Sequence, residues 1–163
     1  MFNAATAETE PLDAPHQWPF DPTLIPTPRI GSTMVINESI SVWETNGPKD
    51  DADLWIQQTS TPMRRPLDVG PGDQHHPVSS GDWIAWVSRG SIKLWNTQTD
   101  QKKSIDAKTG FNAAPTIHDE LICWEFRGRD SIDLGCSNGF KVVRSGHQTH
   151  PTLQGSVLFF REN

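Results

Sequence analysis

The stretch Pro77-Val78-Ser79-Ser80-Gly81-Asp82-Trp83-Ile84-Ala85-Trp86 decides the fold of this chain. From Trp83 to Val87, one face carries Trp83, Ala85 and Val87, and the other carries Ile84 and Trp86. A strand apolar on both faces has to be covered on both faces. Ser80-Gly81-Asp82 before it reads as a tight turn. Gly supplies positive φ there, and the Asp side chain bonds the local backbone. The same phrase returns as Pro115-Thr116-Ile117-His118-Asp119-Glu120-Leu121-Ile122-Cys123-Trp124, and again as Pro151-Thr152-Leu153-Gln154-Gly155-Ser156-Val157-Leu158-Phe159-Phe160. A weaker copy runs from Thr33 through Asn37-Glu38 to Trp43, with one extra residue in its turn.

Repeats about 40 residues apart, each a small sheet unable to bury its own faces, are the pattern of β-propeller blades. The expected fold is all-β: four-stranded antiparallel blades, three complete and a fourth partial. Blade limits fall near 29–70, 71–109, 110–146 and 147–163. Each repeat opens with an inner strand at its Pro, turns, and continues into the apolar second strand. Ser91-Ile92-Lys93-Leu94-Trp95, Asp53-Leu54-Trp55-Ile56 and Ser131-Ile132-Asp133-Leu134 read as third strands. Lys102–Ile105, Pro62–Leu67 and Phe140–Arg144 read as polar outer strands, where charge and Pro deter stray pairing. Trp43, Trp86, Trp124 and Phe160 form one aromatic column, expected to pack between neighbouring sheets.

Composition agrees. The 163 residues hold 7 Trp, no Tyr, 13 Pro and 12 Gly, which suits short strands and tight turns rather than long helices. The length suits one domain. A net charge of −6 with dispersed Lys and Arg disfavours nucleic acid. The basic pairs Arg64-Arg65 and Lys102-Lys103 read as solvated strand ends. No apolar run approaches the ~18 residues of a membrane helix. Met1 to Glu10 lacks the apolar centre of a signal peptide, which leaves a cytoplasmic protein or a mature form whose leader was replaced by Met1. Cys123 and Cys136 fall on neighbouring strands of one blade, so a cross-strand bond is open to them; two buried, reduced thiols are the expectation.

Residues 1–28 are rich in Ala, Thr, Glu and Pro, and Met1 to Ala14 is expected to be disordered. Gln17 to Thr27 carries Trp18, Phe20 and Leu24, and suits an extended segment docking on a sheet edge.

The run Gly72-Asp73-Gln74-His75-His76-Pro77-Val78-Ser79-Ser80-Gly81-Asp82-Trp83-Ile84-Ala85-Trp86, with Ser91 to Thr99 after it, resembles the repeat of TolB-type β-propellers. Within these it is most similar to the variety found in extracytoplasmic and surface-layer proteins of bacteria and archaea. The resemblance covers roughly Ser32 to Asn163. The first copy departs from it, with Thr33 for the leading Pro, Asn37-Glu38 for Gly-Asp, and an insertion near Gly47 to Asp51. The resemblance implies a non-enzymatic recognition or scaffolding role outside the cytoplasm, and it brings no catalytic residues.

The fourth repeat ends after its second strand, so the ring needs completion. Self-association, with N-terminal segments completing partner blades, is the leading expectation. Closure by the chain's own Gln17 to Thr27, or a longer polypeptide, are the others.

Loops on a rigid scaffold carry function. Three of them, Gly70 to His76, Gly110 to Ala114 and Gly146 to His150, share a face with the loops between second and third strands. The candidate ligand-binding residues are therefore Asp73, His75, His76, Asn112, His147 and His150, joined by Arg89 and Arg127. Imidazoles beside a carboxylate suit a transition metal, yet compact zinc spacings are absent, so neither metal nor cofactor is expected. No nucleophile elbow, phosphate loop or distinctive carboxylate pair points to catalysis. Asp82, Asp119 and Glu120 read as turn residues. The leading expectation is a propeller that binds a protein, peptide or glycan through this face. A metal-dependent propeller lyase or hydrolase, and a purely structural envelope component, are the alternatives.

Overall fold

A computed structural model describes residues 34–36, 39–47, 51–61, 63–106 and 110–163 of the chain. Both the expected disorder of Met1 to Ala14 and the strand at Gln17 to Thr27 lie outside the described residues. Among the described residues fourteen strands follow one another and there is no helix. The first sheet holds β1 (Met34–Ile36), β2 (Ile40–Asn46), β3 (Ala52–Gln58) and β4 (Arg64–Asp68), in that spatial order. The second holds β5 (Gln74–Ser80), β6 (Trp83–Ser88), β7 (Ser91–Asn96) and β8 (Lys102–Ile105). The third holds β9 (Phe111–His118), β10 (Leu121–Arg127), β11 (Ile132–Cys136) and β12 (Lys141–Val142). A two-stranded fourth sheet pairs β13 (Gln148–Gln154) with β14 (Val157–Glu162). Every pairing within these four sheets is antiparallel.

The turns follow from local chemistry. Ser80 faces Trp83 and Gln154 faces Val157, so two residues make each reversal, opened by Gly81 and Gly155 at φ 52° and 60°. In the first sheet Ile36 faces Ser41, so four residues separate the paired positions against two in the other three sheets, where one extra residue was expected. Between β6 and β7, Arg89 and Gly90 both take positive φ, the two-residue hairpin geometry that matches strand twist.

Each sheet packs on the one before it: β5 lies against β1, β2 and β3, β9 against β5, β6 and β7, and β13 against β9, β10 and β11. The apolar pattern of β6 dictates this, because all six of its residues are buried. Ile84, Trp86 and Trp95 join Ile40, Val42, Leu54 and Ile56 in one core. Trp83, Ala85, Val87, Ile92 and Leu94 join Ile117 and Ile122 in a second core, with Trp124 packed on it. Burying a large aliphatic or aromatic side chain stabilises by roughly 1.5–3 kcal/mol, so these two interfaces dominate the fold. Of the aromatic column, Trp43 and Trp86 are buried, whereas Trp124 and Phe160 are half-buried.

The outer strands β4 and β8 are rich in cations; β8 is largely exposed and β4 half-buried to exposed. Their cations lie over rings: Arg64 over Trp43 at 5.6 Å, Arg65 over Trp95 at 5.5 Å and Lys103 over Trp83 at 4.7 Å. Long apolar stems covering aromatic faces explain why charge is tolerated there.

One expectation is corrected. Cys123 and Cys136 are not reduced thiols but a disulfide, with 4.1 Å between their α-carbons. They sit directly opposite each other in the β10–β11 register. Ser137 N donates to Ile122 O at 2.9 Å, which makes the neighbouring Cys pair a non-hydrogen-bonded one, where side chains come closest. Spacing alone could not reveal that alignment.

Candidate functional site

Each inner strand from the second sheet onward carries the same irregularity. Register shifts fall between His75 and Val78 in β5, opposite Cys123 and Glu125 in β9, and between Thr149 and Thr152 in β13. At each shift the residue before Pro takes positive φ: His76 at 53°, Ala114 at 42° and His150 at 56°. That conformation is strained for a residue with a Cβ, by roughly 1–3 kcal/mol, so surrounding bonds must hold it. Two buried carboxylates do so. Glu44 Oε1 of the first sheet accepts from His76 N at 2.8 Å, and Glu125 Oε1 of the third accepts from His150 N at 2.9 Å. Val87 takes the equivalent place in β6, so Ala114 N has no such carboxylate from that position.

The bulge also cancels strand alternation locally. His75 and His76, consecutive residues, meet as edge-to-face rings with centroids 4.7 Å apart, and their Nδ1 atoms make a hydrogen bond. One Nδ1 must therefore donate and the other accept. Burial holds the His75 pKa below the usual histidine value, and His76 and Arg127 push it the same way; Glu44 and Asp73 oppose them. His75 is thus a neutral imidazole at pH 7.

Arg127 belongs to a second group. It donates from Nε and Nη2 to Glu125 Oε2 at 2.9 and 2.6 Å, and lies 5.9 Å over the exposed ring of Phe111. Glu44, His76 and His75 form one hydrogen-bonded group and Arg127, Glu125 and His150 a second; only the charge of Arg127 acting on His75 links the two, so this polar chain draws on all four sheets in two pieces. His150 adds a contact from Nδ1 to Thr149 Oγ1 at 3.0 Å.

The remaining expected residues divide. Asp73 is near enough to act on His75, while its Oδ1 accepts from Ala52 N at 3.0 Å and ties the loop to the first sheet. Arg89 packs along Gly70 and Gly72. Asn112 is buried, and its carboxamide donates to Ile105 O at 2.8 Å, so it anchors its own loop. His147 exchanges backbone bonds with Asn163 at 3.1 and 3.0 Å, apart from the polar chain. Among the described residues no group of three or more His, Cys, Asp or Glu is arranged to hold a metal.

Sequence reasoning missed Glu44 and Glu125. The signal was present: each is a charged residue directly after the column Trp of a second strand. It also missed the carboxamides Gln74 and Gln148, which like the expected Asn112 lie three residues before a Pro and are at most 2% exposed. Gln74 Nε2 donates to Gly72 O at 2.7 Å, whereas neither amide atom of Gln148 has a partner among the described residues.

A second cluster joins the first two sheets. Asp51 Oδ2 accepts from Gly72 N at 3.0 Å, and Asp68 Oδ2 accepts from Trp86 Nε1 at 2.7 Å. Between them, burial and the neighbouring charge of Asp51 push Asp53 up to about 6, against the hydrogen bond from the Gly70 backbone. These acids are spent on loop backbone and on an indole, which makes them structural. No family model matches the chain, and no curated protein matches it either.

Proposed function

We propose that the protein is a non-enzymatic recognition module of β-propeller type, which binds a protein, peptide or glycan through the face bearing the inner-strand bulges. The observation that carries this reading is the pair of hydrogen-bonded groups Glu44–His76–His75 and Arg127–Glu125–His150, to which each of the four sheets contributes and between which the charge of Arg127 acts on His75. Such a pair gathers directional donors and acceptors on a rigid frame, which is what specific recognition requires. The neutral His75, the cation of Arg127 and the exposed ring of Phe111 offer hydrogen bonding, charge and stacking within one surface. Sequential stacking, with the second sheet covered on both faces by apolar neighbours, supports the propeller arrangement. The Cys123–Cys136 bond supports an extracytoplasmic location, where disulfides persist. The resemblance to TolB-type repeats supports both, as an analogy of fold.

The test is a screen of peptide and glycan arrays with the full chain, followed by titration of the best binder. Replacing His75, His76 and Arg127 together by Ala should weaken that binder at least tenfold while leaving the melting transition in place. Unchanged affinity would remove the bulge face from the account.

A further inference from the structure

Asp51 Oδ2 accepts from Gly72 N at 3.0 Å, which leaves its Oδ1 for another use. That oxygen and Asp53 Oδ2 stand 2.5 and 2.6 Å from the point where a Cβ on Gly47 would lie, so the two carboxylates converge over the bare α-carbon of Gly47. The spacing Asp51-Ala52-Asp53, leading into β3, allows this because residues two apart share a strand face. Carboxylates this close repel each other unless a cation lies between them. The charges acting on Asp53 from Asp51 and Asp68 are both negative, and Arg89, which packs along Gly70 and Gly72, is not among them.

Two neutral oxygens beside these acids also lack partners. Thr45 lies directly opposite Asp53 in the β2–β3 register, so their side chains share a face. Gln74 is held through Nε2 to Gly72 O, on the same residue whose N–H meets Asp51. Thr45 and Gln74 are 1% and 0% exposed, yet neither Thr45 Oγ1 nor Gln74 Oε1 has a partner among the described residues. Buried oxygens are nearly always met, so two unmet ones beside two acids call for a ligand that oxygen alone can hold.

The later interfaces carry only parts of this set. Asp133 and Gln148 take the places of Asp53 and Gln74, and Asp133 Oδ1 and Gln148 Oε1 again lack partners among the described residues. There Ser131 replaces Asp51 and Phe126 replaces Thr45, which removes one carboxylate and the hydroxyl. Between the second and third sheets Ser91 and Asn112 stand in these positions, and the Asn112 carboxamide is bonded to Ile105 O.

We propose that Asp51, Asp53, Thr45 and Gln74 bind a calcium ion. The two carboxylates balance its charge, the hydroxyl and the amide carbonyl add neutral oxygens, and water completes a shell of about six to eight. Calcium accepts such an irregular set, whereas magnesium demands near-ideal octahedral geometry. Bound there, the ion ties Thr45 and Asp53 of the first sheet to Gln74 of the second, and so braces the strand whose bulge carries His75 and His76.

Calcium titration of the full chain, freed of metal by a chelator and followed by calorimetry and by the amide shifts of Thr45 and Gly72, tests this. The expected result is one ion per chain with a dissociation constant of roughly 10⁻⁴–10⁻³ M, at least ~10-fold tighter than for magnesium. Asp53→Asn should weaken binding at least ~10-fold, whereas Asp82→Asn, in an exposed turn, should leave it unchanged. If Asp53→Asn does not fold, Thr45→Val, which removes the hydroxyl and keeps the shape, should still weaken binding at least ~3-fold. Neither heat nor shift changes up to about 10 mM calcium, equal affinity for magnesium, or binding that both variants leave intact would each overturn the proposal.

Discussion

Replacing Glu125 by Val reproduces in the third sheet what the second has at Val87, and the size of the effect follows from the bonds lost. The carboxylate is almost fully buried; it accepts from His150 N at 2.9 Å and from Arg127 at 2.9 and 2.6 Å. Losing the acceptor leaves the amide of a strained, positive-φ residue unpaired, at about 1–3 kcal/mol. Losing the ion pair costs about 0–1 kcal/mol, since the Arg127 side chain is 41% exposed and recovers water. Removing a buried charge and adding an apolar side chain offset part of this. The net expectation is a loss of about 1–3 kcal/mol. With a urea m-value of about 2 kcal/mol/M, the unfolding midpoint falls by roughly 0.5–1.5 M. Glu125→Gln, which keeps an acceptor for His150 N, should lose less than half as much. A Glu125→Val midpoint within about 0.2 M of the natural protein refutes the claim that this carboxylate holds the bulge.

Three further expectations follow from local geometry. A Cβ on Gly110, at φ 77°, would come within 2.1 Å of Arg127 O, whereas one on Gly81 meets nothing within 4 Å. Gly110→Ala should therefore cost more than about 3 kcal/mol in denaturant unfolding and Gly81→Ala only about 1 kcal/mol; equal losses would contradict the loop contact. Replacing Cys123 and Cys136 by Ala removes a cross-link between residues 13 apart and should cost about 2–3 kcal/mol, with earlier proteolysis in β10–β11. Mass spectrometry of the unreduced chain after alkylation should show no added label. Asp53, raised to about 6, holds its proton in the folded state at pH values where the unfolded chain has released it. Its contribution to stability therefore grows as pH falls from 7 toward 5. His75, lowered, acts in the opposite direction, losing stability as pH falls below the usual histidine value. Asp53→Asn should abolish the first effect, so its melting temperature should drop more on acidification than that of the natural protein; parallel curves would contradict the raised value.

What the sequence disclosed and what it hid divide along a physical line. Strand alternation, turn glycines and the double apolar face of β6 are properties of contiguous residues, so they were readable. β7 and β8 fall within a residue of their expected limits, and Ile84 and Trp86 face one neighbour while Trp83, Ala85 and Val87 face the other. The disulfide depended on the register of β10 against β11, which no spacing encodes. The hydrogen bonds of Glu44 and Glu125 to amides 32 and 25 residues away depended on stacking between sheets. The bulges were hidden for a related reason, because a positive φ before Pro runs against the local preference of the chain. His75 and His76 were singled out as loop residues, yet only the bulge explains why their rings meet.

The central claim is that the sheets stack in chain order, the second and third each lying between two neighbours. Nuclear Overhauser spectroscopy on a methyl-labelled chain tests it through two indoles. The Trp86 ring should give cross-peaks to methyls of Ile40, Val42, Leu54 or Ile56, and the Trp124 ring to methyls of Ala85, Val87 or Leu94. Trp86 and Trp124 reporting on the same methyl set, or on none of these, would contradict the stacking.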